Sequence, residues 1–503
     1  MTSENGNEGM MEFGEEKPNP YTVENMQLAY QELLQGGDLM CTDVNLFNIR
    51  ATHKYIKFKP QDTSQYQALI SDSTLVLFDH PLHRKLTRGG TYYRDPSLPD
   101  NQFNYQWTCV KVEKLLPQGV PYDVLDLVYI PDEDPLLAQY EDTPIDECVS
   151  LLMIQALKRT GNFDTTENYD IMTSGGELPK RLLPSKWTPA GTIRLTDNSL
   201  NNITGLAGAK VRVWRFVEIR ETLTDHNGNY NMGHRFRFDV NYSIKWERND
   251  FQIRSGSHGQ AYFNGPNKRG DWNLDIVSGI SWHYAQVHRG AYDYYYNNPT
   301  GLRTPPTNGF LGTRMTFGVY DEGDRANYRH WQRLWFGPEI RMYSKWPNGN
   351  ARTAQQQYRT TIHELAHASH FNLSHWHFRN CQDMVQESWA VGVAWAFERL
   401  KYPTSLVFDW QSTTLSWIST TGERQYTPLV IDLIDNFNQR TNNNGNLDFP
   451  IDFVSGYTIR TIEDKLVHKT TMNAWRDDLK TSKPGGVSDF NLDQLFLNYT
   501  SIQ

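Results

Sequence analysis

No stretch of these 503 residues approaches the roughly 20 consecutive apolar side chains that a bilayer-spanning helix needs. No transmembrane segment is therefore expected. Basic residues are dispersed rather than clustered: 49 Lys and Arg against 58 Asp and Glu leave a formal charge of -9. With no Lys/Arg block to track a phosphate backbone or an anionic membrane, nucleic acid is not expected as a partner. Cysteine is scarce. Cys41, Cys109, Cys148 and Cys381 form no CxxC pair and no metal-ligand spacing, so they read as buried or free thiols, with Cys109 and Cys148 the pair open to a disulfide. No motif recurs at a fixed period, which excludes a solenoid or propeller. Residues 1–20 (MTSENGNEGMMEFGEEKPNP) lack the apolar core of a signal peptide and read as a flexible leader.

What the chain does contain is material for packed cores. Hydrophobic residues make up 38% and charged residues 21%, with 15 Trp, 27 Tyr and 23 Phe, which excludes a disordered chain. The length exceeds what one core usually serves, so several domains of an α+β multidomain class are expected. Residues 21–186 combine a predicted helix over 23–34, with Met26, Leu28 and Leu33 among its apolar residues, and strand-like runs at 74–78 (TLVLF) and 124–130 (VLDLVYI). This region reads as an α+β accessory domain. Its acidic stretch 131–135 (PDEDP) lacks the ligand spacing of a calcium loop and reads as solvated.

Residues 187–253 change character. Alternating runs at 191–195, 209–214 and 236–240 predict strands, and Asn227-Gly228 within 224–230 supplies the positive φ of a tight turn. The strand leading into TDHNGNY resembles the transthyretin-like β-sandwich appended to secreted peptidases and surface proteins. That resemblance implies a spacer or docking module. It also implies an extracytoplasmic address, secreted or surface-attached, with any export signal or lipid-attachment cysteine lying ahead of residue 1. From 254 to 503 the chain is rich in Trp, Tyr, Asn and Gly, with a loop expected over 292–299 and a mainly helical region after it.

The chemistry is concentrated in that last part. The sequence TIHELAHA at 361–368 lies in a helix predicted over 354–373, uninterrupted by Pro or Gly. Histidines four apart on a helix lie on one face about a turn apart, so His363 and His367 can reach one ion, while Glu364 between them can reach a water at an open coordination position. This is the HExxH arrangement, flanked by apolar Ile362, Leu365, Ala366 and Ala368. A catalytic zinc needs a third protein ligand. A metzincin would require Gly and His where this chain has His370 and Leu373, so that option fails. A carboxylate from a second helix remains, and Glu387 in the predicted helix after 380–383 (NCQD) is the natural candidate.

His363, Glu364, His367 and Glu387 together resemble the gluzincins, the thermolysin-like branch of zinc peptidases, in which a Glu follows the second histidine by about twenty residues on an antiparallel helix. The resemblance implies Zn2+ held by His363, His367 and Glu387, with Glu364 as general base. It further implies a peptide or protein substrate bound along an edge strand ahead of the first helix, for which residues 338–344 are the candidate. The sequence reads ESWAV from the ligand onward and lacks the downstream Asp of thermolysin proper. Asp383 could orient a ligand histidine or simply favour the helix dipole. Among His370, His375 and His377, His370 shares the ligand face and could line the cleft. For the donor to the developing oxyanion, Tyr426 in RQYTP, ahead of a helix predicted over 429–437, is chosen over Tyr457 and His468. The rival reading is a non-catalytic zinc-containing surface protein that binds glycans or proteins. A glycosylated substrate would satisfy both, since Trp can stack on sugars.

Overall fold

The computed structural model describes residues 9–35, 47–99, 101–141, 143–163, 185–257, 259–308, 314–331, 337–420 and 425–501. The chain is mixed α+β and divides into two compact units: Met1–Arg194 with Gly205–Trp246 and His258–Asp275, and Leu195–Thr204 with Glu247–Ser257 and Ile276–Gln503. No helix among the described residues is long and apolar enough to cross a membrane.

In the first unit, helix Val23–Gln35 turns Met26 and Ala29 inward against helix Pro144–Arg159, which contributes Leu152, Met153 and Ala156 to the same core. That second helix carries Asp146 and Glu147 in its first turn and Lys158 and Arg159 in its last, matching the sign of its dipole. Strand His53–Phe58 runs antiparallel between Gln106–Lys111 and Tyr122–Val128, the last of which contains most of the expected 124–130 strand. Residues 74–78 do not form the expected strand. The Asp72 carboxylate accepts the Thr74 N–H at 2.9 Å and the Asp72 carbonyl accepts the Leu75 N–H at 3.1 Å, so the run begins as a turn and only Phe78 bridges to Trp107. Within the stretch read as a leader, Glu12–Glu16 is a strand paired antiparallel with Arg84–Arg88.

The acidic stretch is neither solvated nor a calcium loop. Asp132 takes a bidentate bond from Arg237 (2.9 and 2.7 Å) and lies 2.9 Å from Lys186, Glu133 is 3.1 Å from His53, and buried Asp134 accepts from the Tyr129 hydroxyl at 3.1 Å. Basic partners distant in sequence, Arg50 at 3.7 Å from Asp134 among them, offset the charge of these carboxylates, which is why they tolerate burial. Cys148 is disulfide-bonded while Cys109 keeps a free thiol, so the Cys109–Cys148 pair does not form; Cys41 lies outside the described residues.

Strands Lys210–Arg215, Glu218–Leu223 and Val240–Lys245 form one antiparallel sheet with Tyr262–Lys268, which falls beyond the expected boundary at 253. Residues 190–192 pair with residues 229–231. At the predicted turn Gly228 has φ +82°, and a Cβ there would stand 2.2 Å from the Ile193 carbonyl oxygen, so only glycine serves. Residues 236–239 are not a strand; Phe236 makes one bridge to Trp187, and the next side chain, Arg237, is drawn away to Asp132 and Asp146.

The second unit contains a sheet in which Phe251–Ser255, Met315–Gly323 and Ile340–Lys345 run parallel and Asn327–Tyr328 adds an antiparallel margin. The strand expected to be the edge therefore lies inside the sheet, and Asn327–Tyr328 takes the outer position. Residues 292–296 are not a loop. They end the helix Gly279–Tyr296, with Tyr294 and Tyr295 on its buried face, and the chain leaves the helix at Asn297. Helices Ala354–Leu373 and Asp383–Lys401 follow, and Gly290 lets the first of these approach closely, since a Cβ there would meet Thr361 Cβ at 2.9 Å.

A second buried feature of this unit concerns its charge. Asp432 is fully buried and accepts from Gln439 Nε2 at 2.6 Å and the Tyr499 hydroxyl at 2.5 Å, while Oδ2 of buried Asp452 has no hydrogen-bond partner. Burial pushes Asp432 up to about 7, and burial together with repulsion from Asp432 pushes Asp452 up to about 9. Both groups hold protons in the folded chain that they release when unfolded, so their contribution to stability is full at low pH and is lost as pH rises toward about 9. Asp452→Asn should gain stability relative to the unsubstituted protein between about pH 5 and about pH 9, by up to about 1.4 kcal/mol per pH unit. Urea denaturation across that range measures it, and parallel curves for the two proteins would contradict the assignment.

Candidate metal centre

The helix carrying HExxH starts where it does because its free N–H groups are satisfied. Thr353 and Gln356 form a capping box, and Asn198 Oδ1 and Ser199 Oγ accept the N–H groups of Ala354 and Gln355 at 2.8 and 3.2 Å. Helix Asp383–Lys401 pairs with it antiparallel: Glu398 meets Gln355 (2.9 Å) and Arg359 (3.4 Å), while Glu387 meets His363 and His367 further along. The side-chain oxygen of Ser388, next to Glu387, lies 2.7 Å from that of buried Thr427, next to Tyr426. This tie brings the Tyr426 ring to 6.1 Å from His363, stacked at 27°.

The structure brings three of the sequence-derived residues together. His363 Nε2 and His367 Nε2 are 3.2 Å apart, and Glu387 Oε2 is 3.1 Å from the first and 3.2 Å from the second. Donors bonded to one ion at about 2.0–2.2 Å in tetrahedral directions stand roughly 3.3 Å apart, so the triangle fits a small divalent ion. Two ring N–H groups donating to Glu387 Oε2 would also satisfy these atoms, so the fit to a cation rests on the three distances. His363, His367 and Glu387 can thus hold a metal ion, and no other group of three His, Cys, Asp or Glu among the described residues brings its ligand atoms together in this way.

The electrostatics follow from burial. It lowers the proton affinity of His363; burial opposes but Glu387 and Glu364 raise that of His367. For Glu387 burial is again the opposing effect, and His367 and His363 nonetheless hold it well below the usual carboxylate range. Glu364 is 5% exposed, accepts the backbone N–H of Tyr328 on the sheet margin, and is pushed up to about 7 by burial. Arg352 is a further electrostatic neighbour of Glu364. Sequence reasoning singled out neither. Tyr328 belongs to a two-residue strand with no periodicity to detect, and Arg352 precedes the helix in a stretch without pattern.

The remaining sequence candidates separate. Tyr457 donates its hydroxyl to the Leu479 carbonyl at 3.0 Å, and His468 lies against His377 with the rings tilted by 36°, 4.7 Å between centroids. Asp383 is exposed in the first turn of its helix, suited to the dipole, and Nδ1 of His367 is buried without a hydrogen bond. His370 is buried against Phe378 and lowered to about 3 by burial, His375 stacks on Phe371, and His377 faces Ser374. The helix after Tyr426 is shorter than expected, Leu429–Ile434, because the Asp435 carboxylate accepts the Phe437 N–H and turns the chain; Arg424 lies outside the described residues.

No family model and no curated protein matches the chain. Among solved structures it is similar to a 9R-lipoxygenase from Cyanothece PCC8801 at 11% identity, covering 56% of this chain and 33% of that one, with a TM-score of 0.13. This chain thus spans about a third of the lipoxygenase, and the likeness is too slight to carry an argument.

If the triangle is the metal site, protein dialysed against trace metal should retain about one equivalent of bound ion, and His363→Ala or Glu387→Ala should lose it, because two remaining ligands bind weakly. Elemental analysis of the folded variants tests this. Unchanged metal in both would place the ion elsewhere.

Proposed function

We propose that the chain is a zinc-dependent hydrolase of peptide bonds in proteins or peptides, a peptidase of gluzincin type, acting outside the cytoplasm. The observation that carries this reading is the convergence of His363 Nε2, His367 Nε2 and Glu387 Oε2 within 3.2 Å of one another, with Glu364 on the same helix beside them. Two imidazoles and one carboxylate match the donor set of a catalytic zinc that leaves a coordination position free. Zinc bound there would supply Lewis-acid polarisation of the scissile carbonyl and a lowered pKa for the attacking water.

The chain's own residues supply the remainder. Glu364 takes the proton of the water that attacks the carbonyl and delivers it to the leaving amine, and burial places its proton affinity near neutrality, where a group can do both. The sheet margin Asn327–Tyr328 presents backbone groups next to Glu364, where an extended substrate can add as a further strand. Tyr426, whose ring is held near that of His363 by the Ser388–Thr427 contact, is the donor assigned to the developing oxyanion.

Glu364→Gln keeps the shape and reach of the side chain but cannot accept the proton. It should retain metal and fold while losing about 10²- to 10⁴-fold in turnover of a mixed peptide and glycoprotein panel. Tyr426→Phe should retain metal and lose about 10²-fold in kcat. Paired elemental analysis and digestion assays read both. Metal-loaded protein that cuts nothing in the panel would overturn the peptidase reading in favour of a binding protein, and a Glu364→Gln variant as fast as the unsubstituted protein would remove Glu364 as the base.

A further inference from the structure

Arg359 lies one turn before His363 on the same helix, and neither the ligand set nor the proposed proton transfer uses it. Its Nε sits 3.4 Å from Glu398 Oε2 and is buried without a hydrogen bond. Glu398 Oε1 accepts from Gln355 Nε2 at 2.9 Å and from the Val407 N–H at 2.7 Å, and Oε2 faces Arg359. The arginine's charge is therefore compensated, but its donors are largely unspent. Its side chain is 16% exposed although Nε is sealed, and neither Nη is among the buried atoms that lack a partner, so what exposure there is lies beyond Nε. Its place one turn before His363 on this helix sets it beside the triangle, and its charge acts on both His363 and Tyr426.

A guanidinium is a planar fork of donors whose geometry matches a carboxylate. We infer that Arg359 binds a carboxylate of the substrate beside the scissile bond, so that the preferred substrates are peptides bearing a free C-terminus or an acidic side chain there. The inference rests on the peptidase reading. One helical turn rises about 5.4 Å and a residue of extended peptide spans about 3.3–3.6 Å. Because arginine on a helix leans toward the N-terminus, the carboxylate should lie about one to three residues from the bond that is cut.

Three peptides of otherwise identical sequence test it: one with a free C-terminal acid, one with a C-terminal amide, and one amidated with a Glu near the scissile bond. Each is digested by the unsubstituted protein, by Arg359→Lys and by Arg359→Gln, with cleavage sites read by mass spectrometry and zinc content measured alongside. The unsubstituted protein should cut a carboxylate-bearing peptide at least about tenfold faster than the plain amide at low concentration. Arg359→Lys should weaken that preference, mainly through KM, and Arg359→Gln should abolish it with zinc retained. Whether the free acid or the Glu peptide is favoured identifies the source of the carboxylate. Equal cleavage of all three peptides by the unsubstituted protein would overturn the inference while leaving the peptidase reading intact, and that comparison needs no variant to fold. If nothing is cut, the peptidase reading fails, and calorimetric binding of the acid and amide peptides to zinc-loaded Glu364→Gln decides the inference separately: equal affinity overturns it, and tighter binding of the acid supports it.

Discussion

Glu387 and Glu398 face the helix Ala354–Leu373 from one side of the helix Asp383–Lys401, the first at His363 and His367, the second at Gln355 and Arg359. They are spaced by close to three helical turns, so both project from the same face. The polar seam they form fixes the register of the two helices. Sliding one helix by a turn would leave Glu387 beside one of the two imidazoles only, with Arg359 or Phe371 in place of the other. The positions of the two imidazoles relative to Glu387 are set by this register and by the capping of the first helix at Thr353.

Around the seam the chain surrounds ionisable groups with apolar surface. Ile362, Leu365, Ala366 and Ala368 are fully buried on the HExxH helix, and Val385, Trp389, Ala390 and Val393 on its partner. Burial raises the proton affinity of Glu364, while the N–H of Tyr328 partly offsets the cost of holding it there. The acidic stretch at 131–134 places its carboxylates against arginine and lysine, whereas Glu387 meets two imidazoles. That difference separates a structural ion-pair network from a group that can hold a metal ion.

Much of this was legible in the sequence because helical spacing is local. The 354–373 helix comes from an unbroken run without Pro or Gly, the shared face of His363 and His367 from their four-residue spacing, and Glu387 from the N-cap at 380–383 and the resemblance that asks for a carboxylate on a following helix. What escaped depended on contacts distant along the chain. The outer strand Asn327–Tyr328 exists only through pairing with Ile340–Lys345, and residues 338–344 read as an edge because nothing local reveals a neighbour. Residues 292–296 read as a loop from composition, yet Phe251 and the neighbouring rings draw these tyrosines onto a helix face. The acidic stretch read as solvated because Arg237 and Lys186 lie far away in sequence. Arg359 was accessible to the same reasoning that found the histidines, since it is one turn before His363, but without Glu398 opposite it resembles any surface arginine.

Whether one zinc ion joins His363, His367 and Glu387 is tested most directly by X-ray absorption at the zinc edge on the metal-loaded protein. A nitrogen and oxygen shell at about 2.0–2.2 Å is expected, with the outer-shell scattering of two imidazoles, both features collapsing in Glu387→Ala and His363→Ala. A shell containing sulfur, or imidazole scattering that persists unchanged in His363→Ala, would contradict it.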